Sequence, residues 1–194
     1  MSVKTAPTRV VAGLELPPVG RWTADLTHSE LRFVVSHMVI AKVRGRFREF
    51  TCTVDIAERP EDSAVEAVIV AASIDTGDPT RDAHLRSAEF LDVERYPQLL
   101  FKSSSVRLGY DGRWRVVGDL TVRDITRPVE LDVEYSGTTV DPWGSTRAGL
   151  VATTEIDRDD FGVTWNQALE AGGFLVGRRV RVEIDIEAIL IDPA

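Results

Sequence analysis

The chain is short of the residues that usually build reactive sites. Among 194 residues it carries one cysteine, three histidines and two methionines. The lone Cys52 can close no internal disulfide and reads as a small, buried apolar side chain. His28, His37 and His84 share no helix turn and no short spacing, and neither a CxxC nor an HxxxH pair is present. The tight ligand sets of zinc sites are therefore missing, and no metal is expected. There is no GxSxG, no P-loop and no GxGxxG. Asp157, Asp159 and Asp160 could supply a carboxylate pair, but acids in a loop between strands are usually solvated, so no catalytic residue is assigned.

Long apolar runs are absent as well. Nothing approaches the ~20 residues that span a bilayer. The opening "MSVKTAPTRVVAGLELPPVG" is interrupted by Arg9, Glu15 and prolines, so it has no h-region of a secretory leader, and the expected location is the cytoplasm. Positive charge is in deficit too: 23 basic against 31 acidic side chains leave a net charge of −8. Such a surface repels phosphate backbones, so nucleic acid is not an expected partner.

What the chain does have is alternation. In "RRVRVEIDIEAILID", Val180, Val182, Ile184, Ile186, Ala188 and Leu190 point one way and Arg181, Glu183, Asp185 and Glu187 the other. That is a strand with one dry and one wet face. Similar runs predict eight or nine strands, at about 22–26, 29–37, 42–57, 63–74, 98–109, 113–123, 127–136, 145–157 and 179–191. Asp111-Gly112 is a hairpin signal, because both residues tolerate positive φ. In "RFREFTCTVDI" the apolar phase slips between Phe47 and Phe50, as a β-bulge would allow. Neighbouring strands have no helix between them for parallel crossovers, so the sheet should be antiparallel and, once closed, free of edges. The predicted fold is an all-β, antiparallel barrel of about eight strands over residues 21–194, preceded by an arm over residues 1–20.

Two long links remain. "RDAHLRSAEFLDVERYPQ" (81–98) is the most helical stretch, with Asp78 as N-cap, Pro79 at the first helical position and a helical segment expected near residues 79–93. Asp82 and Arg86 can pair at i,i+4, Leu85 should face the barrel, and Ser87 reads as a second cap. The segment reads as a plug for one barrel end. Arg81, His84 and Arg86 are alternatively a clasp for a polar headgroup. The second link, "DRDDFGVTWNQALEAGGFLVG" (157–177), carries Phe161, Trp165 and Phe174, too many large apolar side chains for a bare loop. It either covers a barrel mouth or forms a gate hinged at Gly172-Gly173.

Several of these stretches together resemble one known family. "DLTHSELRFVVSHM" (25–38), "KVRGRFREF" (42–50), "SIDTGDPTRDAHLRSAEFLDVERYPQLLFKSS" (73–104), "GDLTVRDITRPVELDV" (118–133) and "EIDRDDFGVTWNQALEAGGFLVGRRVRVEIDIE" (155–187) are similar to the YceI-like, lipocalin-like polyisoprenoid-binding proteins. The resemblance implies a barrel whose bore holds an amphiphile with a long tail, such as an isoprenoid quinone, a polyprenyl chain or a fatty amide. It implies a binding protein and not an enzyme. The wall would include Phe33, Val35, Phe47, Phe101, Leu120, Leu131 and Leu150, with Phe161, Trp165 and Phe174 from the loop and Arg81, His84 and Arg86 at the rim. No covalent cofactor is expected; a bound lipid is. Two other readings stay open. One is a redox enzyme that uses the same cavity with haem or quinone, and the other is a ligand-free module that self-associates as a homodimer.

Overall fold

A computed structural model of the chain describes residues 8–11, 13–170 and 172–193. Residues 1–7 and 12 of the expected arm, Ala171 of the second link and the terminal Ala194 lie outside the described residues.

Two short strands, β1 (Arg9–Val11) and β2 (Leu14–Leu16), form a hairpin around Gly13, whose φ of +82° suits glycine. The main sheet follows: β3 (Gly20–Ala24), β4 (Glu30–His37), β5 (Ala41–Phe47), β6 (Phe50–Ile56), β7 (Ala64–Val70), β8 (Ile74–Asp75), helix α1 (Pro79–Arg86), β9 (Gln98–Leu108), β10 (Trp114–Val122), β11 (Ile125–Val140), β12 (Thr146–Asp157) and β13 (Val176–Pro193). Every pairing is antiparallel.

Three pairs of segments, β3/β4, β5/β6 and β7/β8, are each one strand with an interruption. With β9 to β13 they make eight strands, each bonded to the next in the chain. β13 then closes the ring, pairing with β12 on one side and with β3 and β4 on the other. The result is the expected eight-stranded, lipocalin-like barrel, a closed ring in which β5 still keeps an unpaired edge over Ala41–Gly45, because β8 meets it only at Arg46 and Phe47.

The phase slip after Phe47 is a break and not a bulge. β5 pairs with β4 and β8, while β6 pairs with β3 and β7. Arg48 and Glu49 leave the ladder, and their backbones bond to Ser73 O (3.1 Å) and Val70 N (2.9 Å). The strand bends there, yet Phe47 and Phe50 both face inward.

The helix is shorter than expected. Asp78 caps it, accepting from Thr80 N at 3.0 Å and Arg81 N at 3.2 Å. It ends at Arg86, because Ser87 turns extended and its Oγ accepts from Glu89 N instead. The predicted Asp82–Arg86 ion pair does not form. Asp82 is buried and accepts from Thr76 N and Thr76 Oγ1, and Arg86 donates to the carbonyls of Ala72 and Ile74. Backbone partners that need satisfying outcompete a solvent-exposed ion pair.

Alternation of strand direction sorts the connections to two ends. At one end lie the β1–β2 hairpin, the 57–63 link and the turns 109–113 and 141–145; this is the hairpin end. At the other lie α1 with residues 87–97, the 158–175 link and the β4–β5 turn; this is the helix end.

Candidate functional site

Side chains of alternate residues converge on one cavity of about 350 Å³ that extends from the hairpin end to the helix end. This lies within the roughly 300–1,000 Å³ of ordinary ligand pockets. Its wall is almost entirely carbon. All seven strand residues expected on the wall border it: Phe33, Val35, Phe47, Phe101, Leu120, Leu131 and Leu150.

Two aromatic rings owe their pose to glycine. Gly45 lies opposite Phe33 in the β4–β5 ladder, and a Cβ there would sit 2.3 Å from the Phe33 ring. A Cβ on Gly118 would sit 2.5 Å from Lys102 O and 2.6 Å from the Phe101 ring, beside the register shift between Val117 and Gly118. Each glycine lets a ring lie against the backbone of the neighbouring strand, so the ring lines the bore without blocking it.

The helix-end link divides. Phe161 is buried and borders the cavity together with Phe90 and Leu91. Trp165 stands one layer further out, 5.3 Å from Phe90 and 4.6 Å from His84 between ring centroids. Phe174 points away and is 60% exposed. Gly172 and Gly173 both take positive φ, and the loop is tied across itself by Leu169 N to Gly173 O (3.0 Å) and Leu175 N to Gln167 O (2.9 Å).

The three rim cations face other partners. Arg81 donates to Thr76 Oγ1 (2.7 Å) and Thr76 O (3.0 Å). His84 Nε2 sits 2.6 Å from Glu89 Oε2 and packs edge-on against Phe90. Arg86 is bonded to carbonyls as described above. None of the three borders the cavity, whereas their neighbour Leu85 does.

Two features escaped sequence reading. Arg158 is buried at the helix end and donates to the carbonyls of Gly177 (3.0 Å), Trp165 (3.0 Å) and Val163. Burial pulls its pKa down, and Asp159 and Asp157 oppose that. One guanidinium thus ties the 158–165 turn to the start of β13, which no spacing in the sequence reveals. At the hairpin end, Leu16 and Pro17 border the cavity, held by Arg9, which donates to Pro17 O (3.1 Å), Ala57 O (2.6 Å) and Glu58 O (2.6 Å).

Polar chemistry near the bore is sparse. Cys52 is buried on the wall, and desolvation pushes its thiol up to about 11, so it stays protonated at neutral pH. Among the described residues one group gathers metal-ligating atoms: Asp25, His28 and Glu187, on the outer surface where β3 and β4 part. Arg147 already occupies it, with Nη1 2.7 Å from Asp25 and 2.5 Å from Glu187, and Nε 2.8 Å from Asp141. A cation would have to displace a guanidinium held by three carboxylates.

Comparison with known proteins agrees with this architecture. A UPF0312 protein of Staphylococcus aureus is 36% identical over 169 residues, covering 86% of this chain and 95% of that protein. Among solved structures, BcnA of Burkholderia cenocepacia superposes with a TM-score of 0.74 at 21% identity, over 84% of this chain and 98% of that one. A polyisoprenoid-binding domain from Saccharophagus degradans superposes with a TM-score of 0.64 at 16% identity, over 88% of this chain and 98% of that one. At these identities the two structures establish likeness of fold. Residues 22–188 match the model of the YceI-like domain, and the chain therefore belongs to the YceI-like family.

Proposed function

We propose that the chain is a non-catalytic carrier that holds the hydrocarbon tail of a polyisoprenoid, or of a similar long-chain amphiphile, inside the barrel. The observation that carries this reading is the wall itself: a continuous bore of about 350 Å³ lined almost wholly by carbon. Such a surface offers water little to bond, and its one thiol, Cys52, stays protonated. The described binding of the Saccharophagus domain supports the same ligand class. Burial contributes roughly 0.8 kcal/mol per CH₂, or about 3–4 kcal/mol gross for one five-carbon isoprene unit. Ordering a flexible tail and losing translational freedom consume part of that gain, so affinity should climb with the number of units buried.

Solvent extraction of purified protein followed by mass spectrometry tests the reading, with uptake of polyprenol, quinone and fatty amide by delipidated protein as its second arm. Lipid recovered from, or re-bound by, the wild type is the expected result. Ala152 lines the wall, so Ala152→Phe fills part of the bore with carbon and should lower uptake while the barrel still folds. Leu120→Asp places an unpaired carboxylate on the wall and should abolish uptake or folding. No extracted lipid together with no uptake by the wild type would end the proposal.

A further inference from the structure

The bore accounts for the inside of the barrel but not for one apolar feature on its outside. At the helix end the β4–β5 turn presents Met38, Val39 and Ile40 to solvent, with Val39 78% and Ile40 87% exposed. Met38 and Val39 also take positive φ, 51° and 66°. A β-branched residue is among the poorest choices for that conformation, and an Asn-Gly turn would form with less strain. Large apolar side chains at a strained, exposed turn therefore point to a surface that is covered in use. The neighbouring loop adds to it. Met38 N donates to Leu175 O at 2.8 Å, which sets exposed Phe174 beside the turn.

Along the chain segments that form this tip the charge is largely of one sign, although the links elsewhere at this end carry exposed Glu89, Glu94, Asp124 and Asp160. Between Glu30 and Glu49 the chain has no carboxylate, although the whole protein carries a net charge of −8. Arg32, Arg46 and Arg48 in that stretch are paired with Glu30, Asp75 or Asp185. Lys42 and Arg44, next to the tip, are exposed and have no carboxylate partner among the described residues. In residues 161–176 of the adjoining link the only carboxylate is Glu170. Apolar side chains at the apex with unpaired cations just behind them match the layering of a lipid surface, with acyl chains inside and anionic headgroups outside.

We infer that the helix end docks on an anionic lipid bilayer, with Val39, Ile40 and Phe174 entering the headgroup boundary and Lys42 and Arg44 contacting anionic headgroups. A second copy of the chain fits this surface less well. The tip offers only a few apolar residues, far fewer than the roughly 20–30 a side of a stable interface, and in a symmetric pair its unpaired Lys42 and Arg44 would face the same cations of the second copy. Docking by this end sets the cavity-lining Val35 and Val176, which lie within a few residues of Met38 and Phe174, against the membrane. A tail could then pass between bilayer and bore with little exposure to water. This purpose rests on the carrier reading, but docking itself does not.

Co-sedimentation of the full chain with phosphatidylcholine vesicles, with and without phosphatidylglycerol and free of any isoprenoid, provides the test. Wild type should pellet with the anionic vesicles, stay in solution with the neutral ones, and be released by high salt. Val39→Ser/Ile40→Ser and Lys42→Ala/Arg44→Ala should each lower the partition by about tenfold or more, with thermal unfolding unchanged because all four side chains are exposed. The inference is overturned if wild type ignores anionic vesicles, or if both variants sediment like wild type. It is also overturned if wild type is a dimer in sedimentation velocity that Val39→Ser/Ile40→Ser dissociates, since the tip would then be a protein interface. The vesicles hold no cargo, so uptake of polyprenol from detergent by the same preparations scores the carrier reading separately.

Discussion

The two ends of the barrel are closed by different means. At the hairpin end Leu16 and Pro17, held by Arg9, border the cavity over a core built on one strand residue. Trp22 of β3 is 1% exposed, packs over the small Ala148 and Ala188, and donates its indole N–H to Pro18 O at 3.2 Å. At the helix end the plug is assembled from links: Phe90, Phe161 and Val163, backed by Trp165, with Arg158 tying their backbone to β13. A strand plug moves only if ladder hydrogen bonds break. A link plug moves if a few side-chain bonds break. The helix end is also the side with the exposed apolar tip.

Substitutions can break this contrast in order of effect. Trp22→Ala removes the largest fully buried side chain and should cost about 3–5 kcal/mol in denaturant unfolding, destabilising the whole barrel. Arg158→Leu strands buried carbonyls at the opposite end and should cost about 3 kcal/mol. Its signature in hydrogen exchange is local: faster exchange in residues 158–177, with the hairpin end unchanged. Equal loss of protection at both ends would show that the two plugs are one cooperative unit. Asp82→Ala frees Thr76 from its buried acceptor and loosens α1 from β8, at about 1–2 kcal/mol, again read in exchange at the helix end.

The smallest effect is set by pH. The Arg147 guanidinium, with help from His28 and the Thr27 N–H, holds Asp25 well below the usual carboxylate range. A carboxyl whose folded pKa is depressed contributes its stability above the unfolded pKa of about 3.9 and loses it as pH falls toward the folded value. Stability should therefore be flat near neutrality and decline below about pH 4. Arg147→Met should flatten part of that decline, measured as urea midpoints across the acid range. An unchanged acid profile would show that this outer network does not contribute to tying the β3–β4 junction to β12 and β13.

The strand code was legible because it is local. Val180, Val182, Ile184 and Ile186 alternate in sequence and all face the bore in space. The same period puts Phe33, Phe101, Leu120 and Leu131 on the cavity wall, since side-chain direction along a strand repeats every two residues whatever the partner. The loops followed no such rule. Phe161, Trp165 and Phe174 look alike as sequence, yet one borders the cavity, one backs it and one faces solvent. Arg81 and Arg86 looked like cations for a headgroup, yet backbone carbonyls take up their donors.

From its sequence alone, then, the chain determined its antiparallel strands, the inward set of apolar residues and the capped helix after Asp78, because period and capping depend on near neighbours. The tertiary structure alone decided which strands meet, that the strand breaks after Phe47 while both halves keep the same two neighbouring strands, and that Arg158 secures one end. Those outcomes depend on carbonyls and ladders supplied by residues far apart in the chain, whose hydrogen bonds must be satisfied once water is gone.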